Sequence, residues 1–167
     1  MGLQTKVDIN VASGVAGDKA TPDQSVYTPI NPVAEVPVAV GGFVFPVVED
    51  GIIDNSRATN VAGDATEVLG FVERVINYYN YNLTSPGTLE VPAGSALTVA
   101  VRGDYYAVSS TAAKVGDKVF ASAEDGSVIT GSGSGIDTGW IVKTPGEAGE
   151  PIIISNWNVA AASAASA

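Results

Sequence analysis

The chain has 167 residues, 18 of them acidic and 8 basic, for a formal net charge of −10, and it contains neither cysteine nor histidine. Without cysteine there is no disulfide and no thiolate metal site, and without histidine there is no Ser-His-Asp triad, no imidazole ligand and no ordinary general base near neutral pH. An acidic chain repels phosphate backbones and anionic lipid, so no nucleic acid and no membrane is an expected partner, and the length suits one domain.

Residues 1–37 read as an extended N-terminal arm. The opening MGLQTKVDIN has no apolar stretch of the secretory kind, and no apolar run approaches the ~20 residues of a membrane span, so synthesis in a cytoplasm is expected. Residues 4–11 alternate: Val7, Ile9 and Val11 fall on one side, Lys6, Asp8 and Asn10 on the other. That is the period of a half-buried strand. Between Ala12 and Pro37 come Gly14, Gly17, Pro22, Pro29, Pro32 and Pro37. Prolines at this density forbid helix and interrupt sheet ladders, so this part reads as irregular chain lying on a surface.

From Val38 strand follows strand, and residues 38–158 read as the core domain. Val38 to Val48, VAVGGFVFPVV, is almost wholly apolar, with Gly41-Gly42 and Pro46 as bend or bulge points. A short strand at Gly51-Ile52-Ile53 precedes a polar loop from Asp54 to Thr66. Glu67 to Asn82 reads as one long strand or two joined at Gly70. Leu89–Val91, Leu97–Val101 and Tyr105–Ser109 continue the series, separated by Gly- and Pro-containing turns. Val115 to Gly131, VGDKVFASAEDGSVITG, reads as strand, turn and strand about Glu124-Asp125-Gly126. Trp140–Lys143 and Ile152–Trp157 are the last two strands, and the Ala/Ser-rich residues 159–167 form a frayed tail. Roughly ten strands at this spacing, with no sustained helical period, predict an all-β barrel or sandwich. Its core should include Val44, Val72, Val99, Val119, Val128 and Ile141.

Few stretches carry chemistry. Gly131 to Gly135, GSGSG, lacks the Lys-Ser/Thr and the helix of a phosphate loop and reads as a hairpin loop. Arg102-Gly103-Asp104 matches the tripeptide that integrins read, but it stands where one strand must give way to the next. Asn82-Leu83-Thr84 is a glycosylation sequon that a chain staying in the cytoplasm does not use. Asp104, Asp117, Glu124, Asp125 and Asp137 all lie near turns, where any solvated β protein carries acids. A glycosidase would need two of them converging in a cleft. The Asp-x-Asp-x-Asp-Gly calcium loop is absent, and no metal or cofactor is expected. Ile76 to Asn82, INYYNYN, stands apart: Tyr79 and Tyr81 share one strand face, Tyr78 the other. Tyrosine with asparagine suits a binding surface, and it equally suits the wet rim of a core. A β-sandwich that binds carbohydrate through Tyr79 and Tyr81, on a virion fibre, is the alternative function.

Four segments in chain order resemble the small cement, or decoration, proteins of tailed bacteriophage capsids. They are QTKVDIN with its Gly/Pro-rich continuation, Val68 to Arg74 (VLGFVER), Val91-Pro92-Ala93-Gly94 leading to Val101–Tyr106 (VRGDYY), and Val115–Ala121 with Asp125–Val128. The resemblance implies a non-enzymatic virion protein without catalytic residues. Such a protein binds the outer surface of the expanded capsid and strengthens it against packaged DNA. Its partners would be the major capsid protein and sibling copies, a trimer rather than a dimer, and it would be made in the bacterial host cytoplasm. On this reading Lys6, Val7, Asp8, Ile9, Asn10 and Val11 contact the capsid or a sibling subunit, and Tyr78, Tyr79 and Tyr81 are candidate interface aromatics.

Overall fold

The structure, a computed structural model, describes residues 14–75, 89–131 and 134–157. These form thirteen strands and no helix. They are β1 (Val26–Tyr27), β2 (Val33–Ala34), β3 (Val38–Ala39), β4 (Phe43–Glu49), β5 (Ile52–Thr59), β6 (Gly70–Val72) and β7 (Glu90–Val91). They continue as β8 (Val99–Arg102), β9 (Asp104–Val108), β10 (Lys118–Ala121), β11 (Val128–Thr130), β12 (Ile136–Val142) and β13 (Pro151–Ser155). One sheet has the order β1-β8-β6-β4-β5-β2, a second the order β11-β10-β12-β13-β9, and β3 pairs with β7 alone. Pairing is antiparallel throughout except between β2 and β5. The curled sheets pack as a sandwich, and the all-β reading holds.

Alternation on the central strands sets the layers. Phe43, Phe45 and Phe71 point toward the five-stranded sheet and join Tyr105, Trp140, Val119 and Val128 in one core. Val44, Val72 and Val99 point the other way, into a second core with Val38, Val91 and Leu97. A strand covered on both faces loses its polar positions, which is why Val38 to Val48 is apolar without a break. Four rings hold the first core together: Phe71 lies 5.3 Å from both Phe43 and Tyr105, and Trp140 lies 6.0, 5.8 and 6.0 Å from Phe43, Phe71 and Tyr105.

Ile141 is a correction. It is half-buried, whereas Trp140 and Val142 on either side are inside. Neighbouring strand residues face opposite ways, and the larger Trp140 takes the aromatic core. The polar loop expected from Asp54 is a second correction, because β5 runs on to Thr59. Its ladder with β4 skips from Pro46↔Ala58 to Val47↔Asp54. The bulge falls at Pro46, whose missing N–H cannot serve the ladder, and Ala58 beyond it is wholly buried. The hairpin about Glu124-Asp125-Gly126 forms as expected, with Ala121 opposite Val128. Arg102-Gly103-Asp104 is a corner: β8 and β9 on its two sides belong to different sheets.

The described part of the expected arm, 14–37, lies along the body. Gly17 donates its N–H to the Tyr106 carbonyl at 2.8 Å, and Ala20 to that of Asp104 at 2.9 Å. β1 pairs with β8 and β2 with β5. Ala34 is buried in the second core beside Val38, across the expected boundary at residue 37.

Candidate interaction surface

Two polar clusters tie this frame together. Glu73, directly after β6, is 9% exposed. Its Oε2 accepts hydrogen bonds from the Tyr27 hydroxyl at 2.7 Å and the Tyr105 hydroxyl at 2.8 Å. Lys19 Nζ stands 3.8 Å from Oε1 and 5.4 Å from the centre of the Tyr27 ring. Burial, with the Glu73 carboxylate also acting, pushes the Tyr105 phenol well above its ordinary value. The Tyr27 hydroxyl, and then the charge of Glu73, hold the Lys19 ammonium up. Lys19 and Tyr27 come from the arm, Glu73 from the six-stranded sheet and Tyr105 from the five-stranded one, so this cluster is a clasp. The second cluster gathers Glu35, Glu49 and Asp54 around the Arg57 guanidinium, with Glu49 at 3.0 Å and Asp54 at 2.8 Å. The Ser56 hydroxyl, and then Arg57, hold the Asp54 carboxyl down to about 2.

The Arg57 cluster stands at the foot of the β4–β5 ribbon. Asp50 (φ 50°) and Gly51 (φ 76°) both take the left-handed conformation. That is the type I′ hairpin turn, and glycine suits its second position. Glu49 faces Ile52 and Val48 faces Ile53 across the ladder. Adjacent strand residues point to opposite faces. Yet Ile52 is 72% and Ile53 63% exposed. Both faces of the tip therefore stand clear of the body. Leaving a large aliphatic side chain in water forgoes roughly 1.5–3 kcal/mol of burial. Beneath the Ile53 face lies a cleft of about 660 Å³ floored by Pro46, Val48, Ala65, Val68 and Leu69, with Asp64 and Glu67 on its rim. A second cleft of about 580 Å³ beside the Arg102-Gly103-Asp104 corner is lined by Gln24, Asp104, Lys143 and Trp157 among others.

The residues singled out by sequence divide as follows. Lys6, Val7, Asp8, Ile9, Asn10 and Val11, and Tyr78, Tyr79 and Tyr81, lie outside the described residues. The acids considered for glycosidase chemistry serve local structure. Asp104 accepts from the Thr21 hydroxyl at 3.0 Å, Asp117 from the Lys114 N–H at 2.9 Å, and Asp125 from the Ser127 N–H at 3.1 Å. Asp137 accepts from Lys118 Nζ at 2.7 Å and from the Gly139 N–H at 3.0 Å; Glu124 is exposed on the hairpin turn. Among the described residues no group of three or more acids is arranged to hold a metal, and Arg57 fills the densest acidic cluster. Sequence reading missed the Ile52-Ile53 tip. Its signal was present: Asp50-Gly51 between Val47-Val48 and Ile52-Ile53 is a hairpin dipeptide.

Comparison with known proteins gives a family. The XM1 gp53 minor capsid protein family matches residues 3–156. No curated protein matches the chain. Among solved structures, a chain of the capsid of Myoviridae phage XM1 is similar in fold, at 18% identity and a TM-score of 0.55, over 93% of this chain and 98% of that one. The N base of the head fiber gp8.5 of bacteriophage phi29 aligns at 13% identity and a TM-score of 0.40, over 74% of this chain and 88% of that one. Since the family match runs through both sheets and nearly the whole length, the chain belongs to the XM1 gp53 minor capsid protein family and is a structural protein of a phage virion.

Proposed function

We propose that the protein is a cement protein that binds the outer surface of the phage capsid, on the major capsid protein, and stabilises the expanded shell. The observation that carries this reading is the match to a minor capsid family over residues 3–156. Charge favours the outer surface. A net charge of −10 is repelled by packaged DNA, which is itself a dense array of negative charge. A ligand that binds the expanded shell and not its precursor stabilises the expanded state by mass action. Many weak contacts on one lattice add up when copies are linked. A closed trimer fits the threefold positions of a shell, and the protein acts there without catalysis. It is made in the host cytoplasm.

Residues 4–11 supply one contact. They alternate as a strand, and a strand added to an exposed sheet edge satisfies that edge's unpaired N–H and C=O groups. Val7, Ile9 and Val11 would cover apolar surface on a shell or sibling subunit, and Tyr78, Tyr79 and Tyr81 would lie at an interface. Electron cryomicroscopy of native particles tests the reading. The chain is expected outside the shell in threefold groups, and a chain inside the shell or a solitary copy would overturn it. Deleting residues 1–12 should leave the far-ultraviolet β spectrum unchanged and sharply reduce capsid occupancy. Full occupancy by the truncated protein would remove the arm from the proposal.

A further inference from the structure

We propose that the Ile52-Ile53 tip of the β4–β5 ribbon and the cleft beneath it form the surface that grips the shell, and that the occupant is an apolar side chain of the shell protein flanked by lysine or arginine. The inference rests on the capsid-binding reading above and names the site within it.

Geometry supplies the first argument. A ribbon with an isoleucine on each face of its tip, 72% and 63% exposed, is built to be covered on both sides. Ile53 also forms one wall of the 660 Å³ cleft, so inserting the tip and filling the cleft are one event. Charge supplies the second. Glu49 and Asp50 flank the tip, and Asp64 and Glu67 rim the cleft. Arg57, the cation at the foot of the ribbon, is already engaged by Glu35, Glu49 and Asp54. The complement of such a surface is an apolar knob with basic neighbours.

The same charges choose among occupants. A second copy related by a twofold would bring the same acidic rim against itself, and in a ring any other face of a sibling belongs to a chain of net charge −10, so contact with a copy is repulsive on balance. Nor does this chain carry the complement in its segments outside the described structure, 1–13, 76–88, 132–133 and 158–167. Between them they hold a single cation, Lys6, offset by Asp8. A basic shell surface remains.

The test uses the full-length protein and expanded shells from phage lacking it, with bound protein measured by co-sedimentation. The double variant Ile52→Ser, Ile53→Ser should bind at least tenfold more weakly. Its melting temperature and oligomeric state should match the parent, because both side chains already stand in water. The variant Asp64→Lys, Glu67→Lys should also bind more weakly, by a margin that shrinks as salt screens the rim. If the parent binds and the isoleucine variant binds equally well, this inference falls while the capsid-binding reading stands. If the isoleucine variant loses self-association and keeps shell binding, the occupant is a sibling and the inference is wrong. A parent that binds no expanded shell overturns both readings.

Discussion

Trp140 shows how much one side chain organises. It touches the rings of Phe43, Phe71 and Tyr105, drawn from three strands of both sheets. Removing it opens a cavity that these rings cannot fill, so Trp140→Ala should cost about 3–5 kcal/mol in urea unfolding. A loss below 1 kcal/mol would mean that the rings collapse into the space. Ile141, on the other face, should tolerate alanine better. Asp54 is a residue-scale case of charge. Its carboxyl, with an ordinary value of 3.8, is held down to about 2, first by the Ser56 hydroxyl. A carboxyl that is more acidic in the folded state stabilises that state above its unfolded value, and the benefit fades as pH falls from about 4 toward 2. In a carboxyl-detected NMR titration, Ser56→Ala should move the Asp54 midpoint back toward 3.8. An unmoved midpoint would assign the effect to Arg57 instead. Tyr105 has the opposite sign. Its phenol keeps its proton in the fold after the unfolded chain has lost it, so stability declines as pH rises past 10. Phenolate absorbance should show the Tyr105 phenol ionising above the ordinary range, and Tyr105→Phe should remove that step.

At the scale of elements, the two hairpins with tight turns do different work. The β10–β11 turn is fastened to the six-stranded sheet at Gly126, which is buried, while Ala123, Glu124 and Asp125 stay exposed. The Phe43 N–H donates to the Gly126 carbonyl at 2.8 Å, and the Ala62 N–H donates to the Ala123 carbonyl at 2.9 Å. Gly126 has φ 70°, and a Cβ there would stand 2.1 Å from the Phe43 carbonyl oxygen. Gly126→Ala should therefore lower stability by about 2 kcal/mol or more, beyond the left-handed strain of about 1–2 kcal/mol alone. Thermal melting that shifts by a degree or less would show that the turn moves aside. The β4–β5 turn stands free, with Ile52 and Ile53 exposed, so substitutions there should disturb the fold little. The arm belongs with the first kind. Its prolines keep regular structure to the two-residue strands β1 and β2, and backbone hydrogen bonds at residues 17, 20, 28 and 34 fasten it to β9, β8 and the loop before β8.

At the scale of the whole molecule, the fold is a clamp of two sheets bound by an arm. The clasp at Glu73 is where all three meet. Glu73→Ala removes the charged acceptor that two tyrosine hydroxyls share, and a hydrogen bond to a charged group is worth about 1.5–3 kcal/mol. The variant should unfold at lower denaturant with the same slope. A reduced slope would mean that the arm has come away while the sheets remain. Charge acts at this scale as well. With a net charge of −10, binding to a basic shell should weaken as salt rises, since the Debye length shrinks to about 3 Å at 1 M. Salt-independent binding would shift the weight to the apolar tip and to backbone pairing.

What the sequence determined by itself is what nearest neighbours decide. Alternation and turn residues are local, so the all-β class, the bulge at Pro46, the hairpin at Glu124-Asp125-Gly126 and the burial of Val44, Val72, Val99, Val119 and Val128 were all legible from spacing. Composition fixed the missing histidine and cysteine chemistry and the acidic surface. The rest depends on contacts between residues far apart in the chain. Alternation says that Trp140 and Ile141 face opposite ways, and only the position of the Phe43, Phe71 and Tyr105 rings says which faces in. A polar run from Asp54 reads as loop until Ala58 is placed opposite Pro46. Glu73, Tyr27, Lys19 and Tyr105 are unremarkable in sequence, and the two sheets make them one cluster. Ile52 and Ile53 look like any buried strand pair, and the tertiary structure leaves them in water because the ribbon outruns the body that would have covered it.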